Sequence, residues 1–261
     1  MRSLDIASTG MQAQQTNVDV ISNNLANMTT TGFKRRRAEF QDLVYENLRR
    51  VGSNTSDTGT VVPAGAQVGL GVRTAAIYRI NEQGTLQQTS NSLDIAIRGN
   101  GYFPVTLPSG ETAYTRDGTF GLSPDGTIVT ADGYPIAGGI VVPANATAVT
   151  ISPNGAVQAS QSGQPAPTTV GTLQLAVFPN EGGLDAQGDN LFLQSAASGN
   201  AVTGPPASPG FGSVLQGFVE GSNVNVVTEI SNLITAQRAY EMNSRVITTS
   251  DQMLSTLTNL R

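Results

Sequence analysis

Residues 226–261 read VVTEISNLITAQRAYEMNSRVITTSDQMLSTLTNLR. An apolar side chain returns at every seventh position, through Val226, Leu233, Tyr240, Ile247 and Leu254, while Ile230, Gln237, Ser244 and Asp251 stand four residues after the first four of these. This repeat predicts a long amphipathic helix with a coiled-coil-like stripe, roughly 50 Å in length at about 1.5 Å per residue. The opposite end of the chain repeats it. Leu4, Met11, Val18 and Leu25 fall seven apart, with Ala7, Gln14, Ile21 and Met28 interleaved. Ser3 is the expected N-cap of that first helix, which the pattern extends to about Met28. Its stripe is thin, because Gln14 interrupts it and Gly10 weakens its middle by roughly 1 kcal/mol relative to Ala. Such a helix gains its order from a packing partner.

Between the two ends the chain reads as β-structure. Leu93-Asp94-Ile95-Ala96-Ile97-Arg98 alternates large apolar residues with smaller or charged ones at period two, and Leu173, Leu175 and Val177 mark a second such strand. Turn signals are dense: Gly99-Asn100-Gly101, Pro108-Ser109-Gly110, Asp117-Gly118, Pro124-Asp125-Gly126, Asp132-Gly133 and Pro153-Asn154-Gly155 separate short runs such as 102–107, 127–130 and 149–151. That spacing belongs to antiparallel hairpins in a sandwich or barrel-like domain. The expected fold is therefore α+β: residues 1–34 with 220–261 form a discontinuous helical, coiled-coil-like inner domain, 35–71 an extended connecting arm, and 72–219 a central antiparallel β-domain. Within the arm, residues 50–70 lack period and bulk, which reads as a linker or as a strand-like segment paired in another copy.

Composition narrows the function. Charged residues are 13% of the 261, and the net charge of -5 argues against nucleic acid as a partner, since phosphate contacts need a basic surface. With no Cys and no His, thiolate or imidazole metal sites, disulfides and imidazole bases are excluded. No cofactor, metal or catalytic site is expected. No segment reaches the roughly 20 apolar residues that span a bilayer, and polar residues from Asp5 to Asp19 break up any signal-peptide core. The Asp-Gly pairs lack the ligand density and closing Glu of an EF-hand, so they read as hairpin turns. Asp117, Asp125 and Asp132 are candidate hydrolase carboxylates by residue type alone, and all three sit in turn sequences. A monomeric ligand-binding sandwich would leave the terminal heptads without a use. The basic run Lys34-Arg35-Arg36-Arg37 reads as a solvated or subunit-pairing patch just past a helix C-terminus, with Glu39, Asp42 and Glu46 near enough to neutralise it.

Three separated blocks carry a family resemblance. Ile21-Ser22-Asn23-Asn24-Leu25-Ala26-Asn27 leading to Thr31-Gly32-Phe33-Lys34 resembles the N-terminal signature of bacterial flagellar rod and hook proteins, with Asn23, Asn24, Leu25, Asn27, Gly32 and Phe33 as the signature residues. Residues 93–103, 114–120 and 132–136 are similar to the shared core of those subunits, and 215–227 with 235–244 to their C-terminal block. The likeness is greatest to the distal-rod branch, with proximal-rod subunits as the alternative. It implies a helical homopolymer, a tubular drive shaft carrying torque from motor to hook. It also implies export by the flagellar export apparatus without a cleaved signal, a periplasmic location in the basal body, and neighbours among proximal-rod subunits, hook subunits and the bushing rings. The self-assembly interface would comprise Leu4, Met11, Val18, Ile21, Leu25, Val226, Ile230, Leu233, Gln237, Tyr240, Ile247 and Leu254. Gln237, Ser244 and Asp251 either edge a solvated face or set register between copies.

Overall fold

The computed structural model describes residues 2–49, 65–163 and 166–259, excepting the side chains of Leu257 and Asn259. The segment 50–64, read above as linker, lies outside the described residues. The fold is α+β, with a helix near each terminus and mostly antiparallel strands between. The chain divides into two compact units: a helical unit of 1–25, 36–78 and 225–261, and a β-unit of 26–35 and 79–224. These boundaries differ from the expected ones: residues 26–34 and 220–224 belong to the β-unit, and 36–78, which includes most of the strand that begins at Val72, to the helical unit.

In the helical unit, α1 runs Arg2–Ala26 and α2 runs Val226–Asn259. Ser3 is not the cap of α1, because the helix has already begun at Arg2. The cap of α2 is Asn225, whose Oδ1 accepts the Thr228 N–H at 3.2 Å. Where 35–71 was expected to be an arm, the described part forms a two-stranded ribbon. β1 (Arg36–Asp42) pairs with β4 (Val72–Arg79), and β2 (Tyr45–Arg49) pairs antiparallel with β3 (Ala66–Gly69). Between them Leu43 N–H donates to the Gly71 carbonyl, so the pairing carries across the break. The strand partner is this chain itself and no other copy is needed to form the ladder. All of β2 is solvent-exposed, as is nearly all of β4, including Tyr45, Leu48 and Ile77. A two-stranded ribbon so largely exposed is at best marginally stable alone; what cover it has is at Ala38, which is buried, and at Val72, whose N–H donates to Thr9 Oγ1 of α1.

The β-unit owns a proper core. Ile95, Ile97, Phe103, Val105, Val157, Leu173 and Leu175 are fully buried, and Phe103 meets Phe120 edge-on at 5.1 Å between centroids. A four-stranded sheet orders Asp185–Gly188, Leu191–Leu193, Thr112–Thr115 and Phe103–Thr106; a three-stranded sheet joins Ala146–Ile151, Ala156–Gln161 and Thr168–Thr172. Most partners are sequence neighbours. Long-range closures include Leu191–Leu193 on Thr112–Thr115, Ser213–Gln216 on Ile95–Arg98, with Val214 opposite Ile97, and Phe218–Glu220 on Leu86–Gln88. In Ile95–Arg98 both faces are covered, since Ala96 is as buried as its neighbours, and the alternation expected there is absent.

The turns at 107–110, 123–126, 130–133 and 152–155 share one design. Each closes with a glycine N–H bonded to the carbonyl three residues back, and Gly110, Gly126, Gly133 and Gly155 all have φ between 80° and 85°, the left-handed position that ends a three-residue hairpin loop. Asp117-Gly118 is different. Gly118 is not left-handed; a Cβ there would lie 1.8 Å from the Ile95 carbonyl oxygen. The glycine lets the backbone lie against the central strand, where Ile95 N–H donates to the Gly118 carbonyl at 2.9 Å. Asp117 does not serve a hairpin either: its Oδ1 accepts the Thr119 N–H and hydroxyl, and its Oδ2 the Asn190 amide. Gly118→Ala is expected to force that strand away and destabilise the β-unit by about 3 kcal/mol, read as a lowered midpoint in a denaturant titration of the purified chain.

Candidate functional site

The two helices of the helical unit meet along a row of small and polar residues. Ser3 Oγ and Ser250 Oγ lie 3.2 Å apart. A Cβ on Gly10 would stand 2.9 Å from Asn243 Nδ2, and Asn24 Nδ2 donates to Glu229 Oε2 at 3.3 Å. As these contacts ascend α1 they descend α2, so the helices are antiparallel, and a step of seven residues on one matches a step of seven on the other. Ala236, 2% exposed, sits midway between Glu229 and Asn243 in the same row. Ala7, Ala13, Val20 and Ile21 are the buried apolar residues of α1. Glu229 lies in the first turn of α2, where the helix dipole favours a carboxylate. Asn24 also closes a two-bond clamp on the backbone of Arg36: its amide donates to the Arg36 carbonyl and accepts the Arg36 N–H, both at 2.8 Å. An asparagine amide here stands in for a neighbouring peptide group, which turns the chain out of α1 and into β1.

The residues predicted for an assembly interface divide by exposure. Leu4, Met11, Val18, Leu25, Val226, Leu233, Ile247 and Leu254 are half-buried and Ile21 is buried; Ile230, Gln237 and Tyr240 are exposed. Leu233 and Ile247 flank the small-residue row at three- and four-residue offsets, on the face turned to α1. Beyond them α2 leaves Val227, Ile234, Met242, Val246 and Met253 in solvent. Sequence reasoning missed Glu229, Asn243 and Ser250, because it set the interleaved positions one residue later, at Ile230, Gln237, Ser244 and Asp251.

A second cluster lies inside the β-unit, around one carboxylate. Glu220, at the end of the strand Phe218–Glu220, has a side chain 1% exposed. Its Oε1 receives Lys34 Nζ at 2.5 Å and the Gly84 N–H at 2.9 Å, and its Oε2 receives Arg116 Nε at 2.6 Å. Two cations surround one anion, and backbone carbonyls absorb the excess: Lys34 Nζ donates to Glu82 O at 2.8 Å, while Arg116 donates to the carbonyls of Gly101 and, at 2.6 Å, Gly99. Lys34 is thus no part of a solvated basic patch. Its side chain is 3% exposed and its partner is Glu220, not the nearby acids of β1 and β2. Burial alone drives the Glu220 carboxyl upward, but Arg116 and Lys34 outweigh it and hold it below the ordinary carboxylate range. Burial pulls the Lys34 ammonium below its usual value against the hold of Glu220.

Two of the family-signature residues, Asn24 and Gly32, serve these two places. Asn24 makes the clamp in the helical unit. Gly32, at φ 68°, lets its N–H reach the Glu220 carbonyl at 2.7 Å, and a Cβ on it would strike the backbone of Arg116 at 2.9 Å. Phe33 is half-buried beside Lys34, and Asn23 is exposed on α1. Asp125 and Asp132 are exposed at hairpin tips, and Asp117 is engaged as a backbone cap. Among the described residues no group of three or more His, Cys, Asp or Glu is placed to hold a metal ion, and no helix is long and apolar enough to cross a membrane.

Three family descriptions match the chain in order: "Flagella basal body rod protein" over residues 4–34, "Flagellar hook protein FlgE/F/G D1 domain" over 96–159 and "Flagellar basal body rod FlgEFG protein C-terminal" over 215–260. The chain is 59% identical to a "Flagellar basal-body rod protein FlgG" of Caulobacter vibrioides over the full length of both. It is 51% identical to the protein so named in Agrobacterium fabrum, over 98% of this chain and 97% of the other, and 38% identical to that of Bacillus subtilis, over 100% and 99%.

Glu220 gives a pH signature. Because its folded-state pKa is depressed, its stabilising contribution is complete above the unfolded value of about 4.3 and is lost as pH falls through the folded value. Glu220→Gln leaves two buried cations facing a neutral amide and is expected to cost about 3 kcal/mol at neutral pH. Thermal melts of both proteins from pH 7 downward should show the difference between them shrinking in acid; a difference constant with pH would show that the ion pairs contribute nothing specific.

Proposed function

The chain belongs to the flagellar basal-body rod protein family, and on that footing we propose that it is a structural subunit of the distal rod, polymerising into the tubular drive shaft that passes torque from motor to hook. The observation that carries this reading beyond family membership is the state of the helical unit. Its two helices meet through small residues, and they leave Val227, Ile230, Ile234, Met242, Val246 and Met253 exposed, beside a ribbon with Val44, Tyr45, Leu48 and Ile77 in solvent. So much uncovered apolar surface on otherwise polar elements marks a surface made to be covered. Further copies of the same chain are the occupants that a helical polymer supplies, and a head-to-tail contact that does not close gives a filament. The α1–α2 pair is then the coiled-coil-like inner domain. Leu4, Met11, Val18, Ile21, Leu25, Val226, Leu233, Ile247 and Leu254 support the pair itself, while Ile230, Gln237 and Tyr240 face neighbouring copies.

The same reading places the subunit in the periplasmic part of the basal body, delivered by the flagellar export apparatus without a cleaved signal peptide. It would adjoin proximal-rod subunits on one side, hook subunits on the other, and the bushing rings around it. A proximal-rod role is the weaker alternative, since the full-length relatives carry the FlgG name. The β-unit, self-sufficient in its core, forms the outer layer, and no catalytic role is assigned.

Ile230→Asp and Val246→Asp test the interface. Each replaces an exposed apolar side chain, so the folded chain is expected to keep its stability to within about 0.5 kcal/mol. Within a polymer the same carboxylate would lose its water, at a cost of several kcal/mol in every subunit. Export measured in culture fluid should persist while basal bodies seen by electron microscopy lack a full-length distal rod. Normal rods in both variants would overturn the assignment of this helix face.

A further inference from the structure

Besides the crossing before Ala26, the polypeptide crosses the boundary of the β-unit at three places, after Arg35, before Arg79 and after Val224. Inside the β-unit, the segments next to those crossings are tied to one another. Ile80 N–H donates to the Arg35 carbonyl at 2.9 Å, and Gly32 N–H to the Glu220 carbonyl at 2.7 Å. Gly221 N–H donates to Thr85 O at 2.8 Å. Two side chains then bridge all three. Asn223 accepts the Arg35 N–H at Oδ1, 2.7 Å, and donates from Nδ2 to the carbonyls of Ile80 and Glu82 at 2.9 and 3.0 Å. Lys34, on the first segment, donates to Glu82 O on the second and to Glu220 Oε1 on the third. Arg116 anchors Glu220 from the side of the core, through the Gly99 and Gly101 carbonyls.

We propose that residues 32–35, 80–85 and 220–223 form a release catch that opens and closes as one unit, so that freeing any one of the three segments frees the other two. The reason is the cost of partial opening. If 32–35 leaves alone, Glu220 keeps one of its two cations in a dry site, Asn223 loses its donor at Oδ1, and the Glu82 carbonyl loses Lys34. Glu220 is 1% exposed and left one cation short, the half-buried Asn223 is left without a donor at Oδ1, and the Glu82 carbonyl keeps only Asn223; a polar group that loses a partner away from water loses more than the bond itself was worth. Full opening admits water to all of them together. The intermediate with one segment out is therefore less stable than either end state. Arg116, held by core carbonyls, is the fixed jaw. Tension on the chain at Arg35 is accordingly shared with the segment leading to α2. This follows from contacts within the β-unit and stands or falls independently of the rod assignment.

Native-state hydrogen exchange on the full-length chain tests it. In the native protein, the amides of Gly32, Ile80, Gly84 and Gly221 should share one opening free energy and one denaturant dependence, distinct from those of Ile95 and Ala176 in the core. None of these four amides bonds to the side chain of Asn223. In Asn223→Ala all four should nonetheless exchange faster by a common factor of roughly tenfold or more, with Ile95 and Ala176 unchanged. Lys34→Met should accelerate the same four together. Should Lys34→Met fail to fold, the native protein and Asn223→Ala still decide the matter. Four different opening energies in the native protein, or acceleration confined to Ile80 in Asn223→Ala, would overturn the catch.

Discussion

A carboxylate shut away from water with two cations is the constraint on which the β-unit depends. Removing Glu220 and its partners from solvent costs several kcal/mol per ion, and such a cluster is no better for stability than a well-packed apolar one. What it supplies is exclusivity. An apolar plug at the same place could be filled by many side chains in many orientations, whereas Glu220 is satisfied only when Lys34, Arg116 and the Gly84 N–H arrive together. These come from positions far apart in sequence. The ion cluster therefore makes correct closure of the chain a condition for burying the charge at all.

The two units solve the problem of stability in opposite ways. The β-unit buries Ile95, Ile97, Phe103 and their neighbours and holds its own turns with left-handed glycines. The helical unit buries chiefly alanines, a few larger residues of α1 and polar side chains, so its gain from the hydrophobic effect within one chain is small. On α2 several larger apolar residues, Val227, Ile230, Ile234, Met242, Val246 and Met253, face outward. A subunit of a polymer has good reason for this division: the self-sufficient part can fold before assembly, and the incomplete part defers its remaining burial until neighbours supply it.

How much of this could be read from the residues varied with the kind of interaction. The hairpins at Pro124-Asp125-Gly126 and Pro153-Asn154-Gly155 were legible because their cause is local, a proline or aspartate followed by a residue that must take positive φ. The seven-residue period of α2 was legible for the same reason. The face it turns to α1 was not, because offsets of three and four residues are both compatible with a heptad and the eye goes to Ile230 before Glu229. Lys34 looked like the start of a basic run; only the long-range arrival of Glu220 removes it from Arg36 and Arg37, and no local pattern announces that. Asp117-Gly118 imitated the other turn pairs while serving a different purpose, a close backbone approach to Ile95 that depends on tertiary contact.

The contact between α1 and α2 also has a mechanical character. Ala7, Ala13, Gly10 and Ala236 possess no side-chain torsion that could settle into another rotamer. A joint of leucines or methionines can dissipate work by side-chain hopping and creep under sustained twist. Where glycine and alanine line the joint, only backbone and bond-angle compliance remain, which is stiff and recovers on release. In a shaft that carries torque, such a seam would spring back with little internal friction once the twist is released.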